Sequence, residues 1–416
     1  MIESLGAPAW MTHPATRAVI AALQATGGAR CARFVGGCVR NAVLKRPVND
    51  IDIATTLTPD QVTKALTDAG LKAVPTGVDH GTVTAVAQGR PFEITTLRRD
   101  VETDGRRAVV AFTTDWAEDA QRRDFRLNAL YADPDGALHD PTGGGLADAR
   151  AGRIIFVGDA ETRIREDALR ILRFFRFQAW YGRGEPDAAG LAACAALRGL
   201  IAGLSAERVS AELLKLLAAE DPREAVRRMA QSGVLAEALP EAQGLARFER
   251  LVAIETEMLF SEDALLRLAA LLPNDPAVGG SLAERLRLSN AQRDRLVAAL
   301  APTPRLASWM SPKEARQLVY RQGVEAFCDR VTLAWAASER PAAAVQWRAL
   351  LPLGRSWSPP RFPLAGEEVM AAGVPKGPLV GEVMREVEAW WVDNDFPQDK
   401  LALIERLKAV AQGMAY

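Results

Sequence analysis

The spacing of apolar positions divides the chain into two regimes. Up to about residue 137, short apolar runs alternate with period two. Side chains on a strand point to alternate faces, so such runs predict strands with one buried face. They fall at 33–36, 49–54, 82–87, 91–97, 108–112 and 128–132. Helices are predicted over 15–30, with Val19, Ile20 and Leu23 apolar and Gly27-Gly28 at the end, and from Pro59 to Ala69. After about Arg150 the spacing is helical almost throughout, over 161–180, 205–219, 222–232, 262–272, 282–300 and 311–321. Turn residues separate these helices at Asp221-Pro222, at 273–276 and at 302–304. Ser356 to Pro363 is proline-rich and reads as a linker, and a last helical region starts near Pro378 and breaks near Phe396-Pro397. The pattern predicts an α/β or α+β domain followed by a helical remainder.

Composition narrows the class. A chain of 416 residues, 49% hydrophobic and 25% charged, is sized for two to four ordinary globular domains. Its longest apolar runs are too short to span a bilayer, and residues 1–17 lack the apolar core of a secretory signal. Cys31, Cys38, Cys194 and Cys328 form no CxxC or Cys/His cluster, which argues against structural zinc and a disulfide scaffold and for a cytoplasmic, reduced setting. His13, His80 and His139 are too scattered for a metal site. The net charge of −1 hides local basic spots, at Arg98, Arg99, Arg106, Arg107, Arg122, Arg123 and Arg126, and again from Arg163 to Arg176. RNA binding through such spots would weaken steeply with salt.

Candidate chemistry starts at Gly36-Gly37-Cys38-Val39-Arg40, followed by Asp50-Ile51-Asp52. On a strand Asp50 and Asp52 share a face while Ile51 and Ile53 face the core. Two hard oxygen ligands suit Mg²⁺, and two such ions about 3.5–4 Å apart clamp the attacking and leaving oxygens of a phosphoryl displacement. The glycines let backbone approach a phosphate. The plainer alternative is a strand end with solvated aspartates after a Gly-Gly turn. Glu93, in an alternating strand pattern, is either a third carboxylate (second-metal support or general base) or a solvent-facing polar residue. In Arg122-Arg123-Asp124-Phe125-Arg126-Leu127-Asn128, guanidinium forks suit triphosphate oxygens and Asn128 suits a ribose hydroxyl, although an isolated segment of this kind would be a solvated helix face.

In Glu166-Asp167-Ala168-Leu169-Arg170-Ile171-Leu172-Arg173-Phe174-Phe175-Arg176, helical spacing sets Asp167 beside Arg170 and Arg170 beside Arg173. These are either surface ion pairs of about 0.2–0.5 kcal/mol each or a reader of bases. Cytosine and adenine present an amino donor next to a ring-nitrogen acceptor, and an Asp acceptor beside an Arg donor matches both. Uracil and guanine present the reverse order and would leave buried polar groups unpaired.

Taken together, GGCVRN (36–41), DID (50–52), FEITTLRRD (92–100), TDGRRAVVAFTTDW (103–116), RRDFRLNAL (122–130), DPTGG (140–144) and REDALRILRFFRF (165–177) occur in an order that resembles the nucleotidyltransferases that add CCA to transfer RNA, and their relatives the bacterial poly(A) polymerases. The resemblance covers about residues 33–177. It implies an α+β fold: a polymerase-β-like mixed-sheet head (1–140), then a helical neck (141–220), body (221–355) and tail (356–416). It implies addition of C, C and A to tRNA from CTP and ATP, with Asp50 and Asp52 holding two Mg²⁺ and Glu93 assisting. It carries nucleotide contacts to Gly36, Gly37, Arg40, Arg123, Asp124, Asn128, Asp167, Arg170, Arg173 and Arg176. It also implies that the loop around 103–116 serves the last adenosine. Residues 374–381 are similar to a Gly-Pro turn of the tail region that supports RNA. The family usually has Asp where Asn41 stands; Asn keeps an acceptor without the charge, enough for a cap or turn-holding role. Neither a membrane nor an obligatory protein partner is implied. Rival readings are a poly(A) polymerase, an A-only adding enzyme with a CC-adding partner, and a catalytically silent RNA-binding protein.

Overall fold

The computed structural model describes residues 3–77, 81–103, 108–302 and 306–413. The fold is α+β, and the chain forms two compact units, Met1–Pro240 and Glu241–Tyr416. Residues 221–240, expected in the body, fall within the first unit.

The first unit is built on a seven-stranded mixed sheet. Its strands are β1 (Ala32–Val35), β2 (Asp52–Thr55), β3 (Lys72–Gly77), β4 (Thr82–Ala87), β5 (Arg90–Thr96), β8 (Tyr131–Ala132) and β9 (Leu138–His139), while β6 (Arg98–Thr103) and β7 (Ala108–Phe112) form a separate ribbon. The order is β3-β4-β5-β2-β1-β8-β9. Neighbours run antiparallel except β2 and β5, which are parallel and register Asp52 against Glu93. Alternation sets the faces: Phe92, Ile94 and Thr96 of β5 are buried while Glu93 points out. Helix Pro14–Gly27 buries Val19, Ile20 and Leu23, and helix Pro59–Asp68 starts on a Thr58/Gln61 capping box with proline in its first turn.

Several expected elements are redrawn. β2 starts at Asp52, so Asp50 lies just outside the strand. The strand expected over 128–132 begins as a single 3₁₀ turn, Arg126–Asn128. The helix expected over 161–180 is two helices, Ala160–Glu166 and Leu169–Tyr181, because Asp167 turns extended (φ −152°, ψ 102°) and caps the second with a bond from the Leu169 N–H. The 282–300 segment likewise divides into Pro276–Arg285 and Asn290–Leu300, the latter started by a Ser289/Gln292 capping box.

The second unit is helical among its described residues. Its C-terminal part packs Trp391, Val383, Val387, Leu403 and Leu407 into one core, and 357–365 crosses between helices without regular structure, as the prolines required. No helix is long and apolar enough to cross a membrane among the described residues.

Candidate active site

A cavity of about 390 Å³ opens in the first unit, lined by Gly36, Gly37, Arg40, Asp52, Arg123, Asp124, Asn128, Arg173 and Arg176. All nine were singled out in the sequence. They are far apart along the chain, and the sheet and the helix Leu169–Tyr181 bring them together.

Gly36 precedes helix Gly37–Val43 with φ 68° and ψ −124°, a conformation that costs a side chain dearly. A Cβ there would stand 3.7 Å from Arg123 Nη1 and 3.8 Å from Asp52 Oδ2, which places the glycine between the cationic and anionic sides of the cavity. The Asp52 carboxylate accepts no hydrogen bond from a described side chain, although the Cys38 thiol donates to its backbone carbonyl (3.7 Å). Burial pushes its carboxyl up to about 6, and the charges of Glu93 and Asp50 add to the shift while Arg123 opposes it. Glu93 is beside Asp52 across the parallel register. Neither Asp50 nor Glu93 lines the cavity itself.

The arginines are held individually. Arg123 donates to Asp119 (Nη2, 2.9 Å) and to the Tyr131 hydroxyl (Nε, 3.2 Å). Arg173 donates through Nε (2.7 Å) and Nη2 to Asp124, whose other oxygen accepts from Asn128 Nδ2 (3.0 Å) and the Phe125 N–H (2.8 Å). Burial alone would raise the Asp124 carboxyl, but Arg173 and these hydrogen bonds hold it down at about 2. Arg176 Nε stands 2.9 Å from Glu212. Arg40 donates to Asn128, Asn41 and Tyr181, and its guanidinium lies 4.1 Å from the Tyr181 ring centre.

Asp167 and Arg170 are not brought together as a pair. The helix break turns Asp167 to Arg208 (2.7 Å), while Arg170 donates to Glu166 (2.6 Å) and to the Arg163 and Arg122 carbonyls. Neither lines the cavity. Asp167 still acts electrostatically on Arg173, which does.

The sequence reading missed Asp119, Glu212, Phe177, Trp180, Tyr181 and Lys215. Phe177, Trp180, Tyr181 and Lys215 line the cavity, and Phe177 carries Arg40, Arg173 and Arg176 near its ring. Asp119 was detectable: it precedes Arg122 and Arg123 by three and four positions, the spacing of helical ion pairs. His139 pairs with Asp133 and His13 caps a helix, while His80 and residues 104–107 of the expected adenosine loop lie outside the described residues.

Comparison with known proteins places this geometry. The family described as "Poly A polymerase head domain" matches residues 32–155, and "Probable RNA and SrmB- binding site of polymerase A" matches 186–245. The mouse mitochondrial CCA tRNA nucleotidyltransferase 1 is 32% identical over 90% of this chain and 86% of its own length. The chain belongs to the CCA tRNA nucleotidyltransferase family. The Streptococcus gordonii CCA-adding enzyme is 33% identical over 91% of this chain and 93% of its own. Among solved structures, the Bacillus stearothermophilus CCA-adding enzyme in complex with CTP superposes with a TM-score of 0.75 at 27% identity, covering 96% of this chain and 99% of that one. The family places the chain among enzymes, so the silent RNA-binding reading falls away.

Proposed function

We propose that this enzyme adds C, C and A to the 3′ end of tRNA from CTP and ATP, releasing pyrophosphate. The carrying observation is the cavity, where Asp52, in register with Glu93, faces Arg40, Arg123, Arg173 and Arg176. That is an acidic edge for the reacting hydroxyl and a basic wall for a triphosphate. Relatives named as CCA-adding enzymes along nine-tenths of this chain support the choice of reaction.

The donor set suits Mg²⁺. Asp52 is half-buried beside two like charges, and its carboxylate has no hydrogen-bond donor among the described residues, a repulsion that a divalent cation relieves. Among the described residues no three acidic, His or Cys side chains are grouped as a complete metal cage. Mg²⁺ needs no such cage: it keeps several waters and takes one or two carboxylates. Asp50 and Asp52 would hold two ions, with Glu93 in support. When bound, the ions would lower the pKa of the RNA 3′-hydroxyl and neutralise the departing pyrophosphate.

The chain's own residues do the positioning. Arg123, fixed by Asp119, and Arg40 orient the triphosphate. Asn128, held between Asp124 and Arg40, presents its amide to the ribose. Asp167 and Arg170 read the base once Arg170 leaves Glu166. A cytoplasmic location belongs to the same reading, supported by four buried, unpaired cysteines.

The test is incubation of tRNA lacking its CCA end with Mg²⁺ and with CTP and ATP, alone and together, followed by reading of the 3′ ends. Ends that stop at CCA support the proposal. Long A tracts would make the enzyme a poly(A) polymerase, and A added only to a CC end would make it half of a split system. Asp52→Ala is expected to lower kcat by at least about 10³-fold; full activity in that variant would sink the mechanism.

A further inference from the structure

Arg40 differs from the other arginines of the cavity. Arg123 has Asp119, Arg173 has Asp124 and Arg176 has Glu212 within ion-pairing distance. The donors of Arg40 meet only neutral acceptors among the described residues: the Asn128 amide, the Tyr181 hydroxyl (2.7 Å) and the Asn41 amide oxygen (3.2 Å from Nε, 3.0 Å from Nη2). Yet Arg40 is buried. Burial, joined by the charge of Arg176, draws its pKa below the ordinary arginine value, against the opposing pull of Tyr181 and Asp124. The site therefore bears the cost of a buried cation whose own donors reach no carboxylate.

Asn41 is central to this arrangement. Its Oδ1 accepts from Arg40, and its Nδ2 donates to the Pro47 carbonyl at 2.9 Å. Its backbone oxygen accepts from the Arg46 N–H at 2.8 Å. The network fixes the amide orientation, because the flipped form would set donor against donor and acceptor against acceptor. Asn41 lies within helix Gly37–Val43, so it holds a turn rather than capping a helix. A carboxylate at this position would neutralise Arg40 and set oxygen against oxygen at Pro47. The amide does neither.

We propose that Asn41 is a positioning residue that holds Arg40 on neutral acceptors, with no carboxylate taking its donors, available to the triphosphate of the incoming nucleotide, and ties that arginine to the turn leading into Asp50. The inference rests on the nucleotidyl-transfer reading above and deepens it.

The test uses the full chain, the variants Asn41→Asp and Asn41→Ala, and inorganic tripolyphosphate as a base-free probe beside CTP and ATP. Asn41→Asp is expected to weaken tripolyphosphate binding roughly tenfold, the order of one charge-assisted contact. It should raise KM for CTP and ATP by the same factor, with kcat within about threefold. Asn41→Ala keeps the charge, so tripolyphosphate affinity should stay within about threefold while kcat falls, because the turn ahead of Asp50 is untied. Should Asn41→Asp not fold, Arg40→Gln supplies the same loss of charge and should weaken tripolyphosphate equally. Unchanged tripolyphosphate affinity in Asn41→Asp overturns the inference. Equal losses in both Asn41 variants with equal falls in Tm also overturn it, by reducing Asn41 to a structural residue. A wild-type protein that binds tripolyphosphate but extends no RNA would sink the nucleotidyl-transfer reading alone; the two variants would still decide the role of Asn41 in anion binding.

Discussion

Asp119 in the first unit and Glu255 in the second make an instructive pair. Both sit on helices, both are almost wholly buried (1% and 3% exposed side chains), and each lies within 3 Å of an arginine. Their acidities move in opposite directions. For Asp119, burial is outweighed by Arg123 and Arg122 and by the Tyr131 hydroxyl, and the carboxyl is held at about 2. For Glu255, burial wins over Arg267 and the carboxyl is raised. The number of donors explains the difference. Asp119 accepts from Arg122 (2.8 Å), Arg123 (2.9 Å) and Tyr131 (2.6 Å), whereas Glu255 meets one guanidinium, that of Arg267 at 2.6 Å. A carboxylate with surplus donors beside an open cavity is a fixed anion that aims an arginine. A buried pair with fewer donors that does not line that cavity serves the architecture.

The comparison would break most visibly at these two carboxylates. Asp119→Ala strands two guanidiniums and a hydroxyl. Stability should fall by about 3–5 kcal/mol, and nucleotide addition by more than about 10²-fold, because Arg123 is no longer aimed. Glu255→Ala breaks the buried pair with Arg267 and should cost about 3–5 kcal/mol. Its kcat/KM, measured well below its Tm, should stay within about twofold of wild type. Equal losses of activity in the two variants would erase the distinction.

Asp52 sharpens the comparison through pH. Its folded value of about 6 lies above the ordinary 3.8, so the folded protein holds the proton more tightly than the unfolded chain. The stability this gives is present at low pH and is lost as pH rises through about 6. Asp119 and Asp124, both near 2, behave in the opposite sense: their contribution is present above the ordinary value and is lost as pH falls towards 2. Denaturation without Mg²⁺ should therefore show Asp52→Asn drawing level with wild type near pH 4 and exceeding it by about 2 kcal/mol above pH 6. A gap that does not vary with pH would mean that Asp52 is not strained by its neighbours.

Most of this site was legible because its residues act through local patterns. Gly36, Gly37 and Arg40 form one short motif, and the apolar setting of Asp50-Ile51-Asp52 announced a strand that begins at Asp52. Glu93 was legible as a strand residue, but its place beside Asp52 depends on a parallel register that no local spacing encodes. The Asp167 and Arg170 side chains are not paired in the structure for a physical reason. The apolar periodicity runs unbroken through 161–180, yet the helix restarts at Leu169, where the Asp167 carboxylate accepts from the chain and also meets Arg208, while Arg170 is taken by Glu166. Nothing in the local spacing singles out Phe177 or Tyr181, and only the folded chain shows Arg40 near their rings. The spacing of Asp119 to Arg122 and Arg123 was legible, but the Tyr131 hydroxyl that closes over it comes from a strand of the main sheet.

That closure supplies the finest test. Tyr131→Phe keeps the ring, which packs edge-on against Trp116 at 5.5 Å, and deletes one donor from Asp119. Arg122 and Arg123 remain in place, so the carboxylate stays satisfied and the cost should be about 1 kcal/mol, the net worth of one hydrogen bond. Tm should drop by a few degrees, about 2–4 °C for a unit of this size. The acid limb of the stability curve should shift to higher pH, because the hydroxyl is one of the groups holding Asp119 down. KM for CTP and ATP should change by less than about threefold. An activity loss as large as that of Asp119→Ala would reassign the aiming of Arg123 from the carboxylate to the phenol, since the Tyr131 hydroxyl itself accepts from Arg123 Nε.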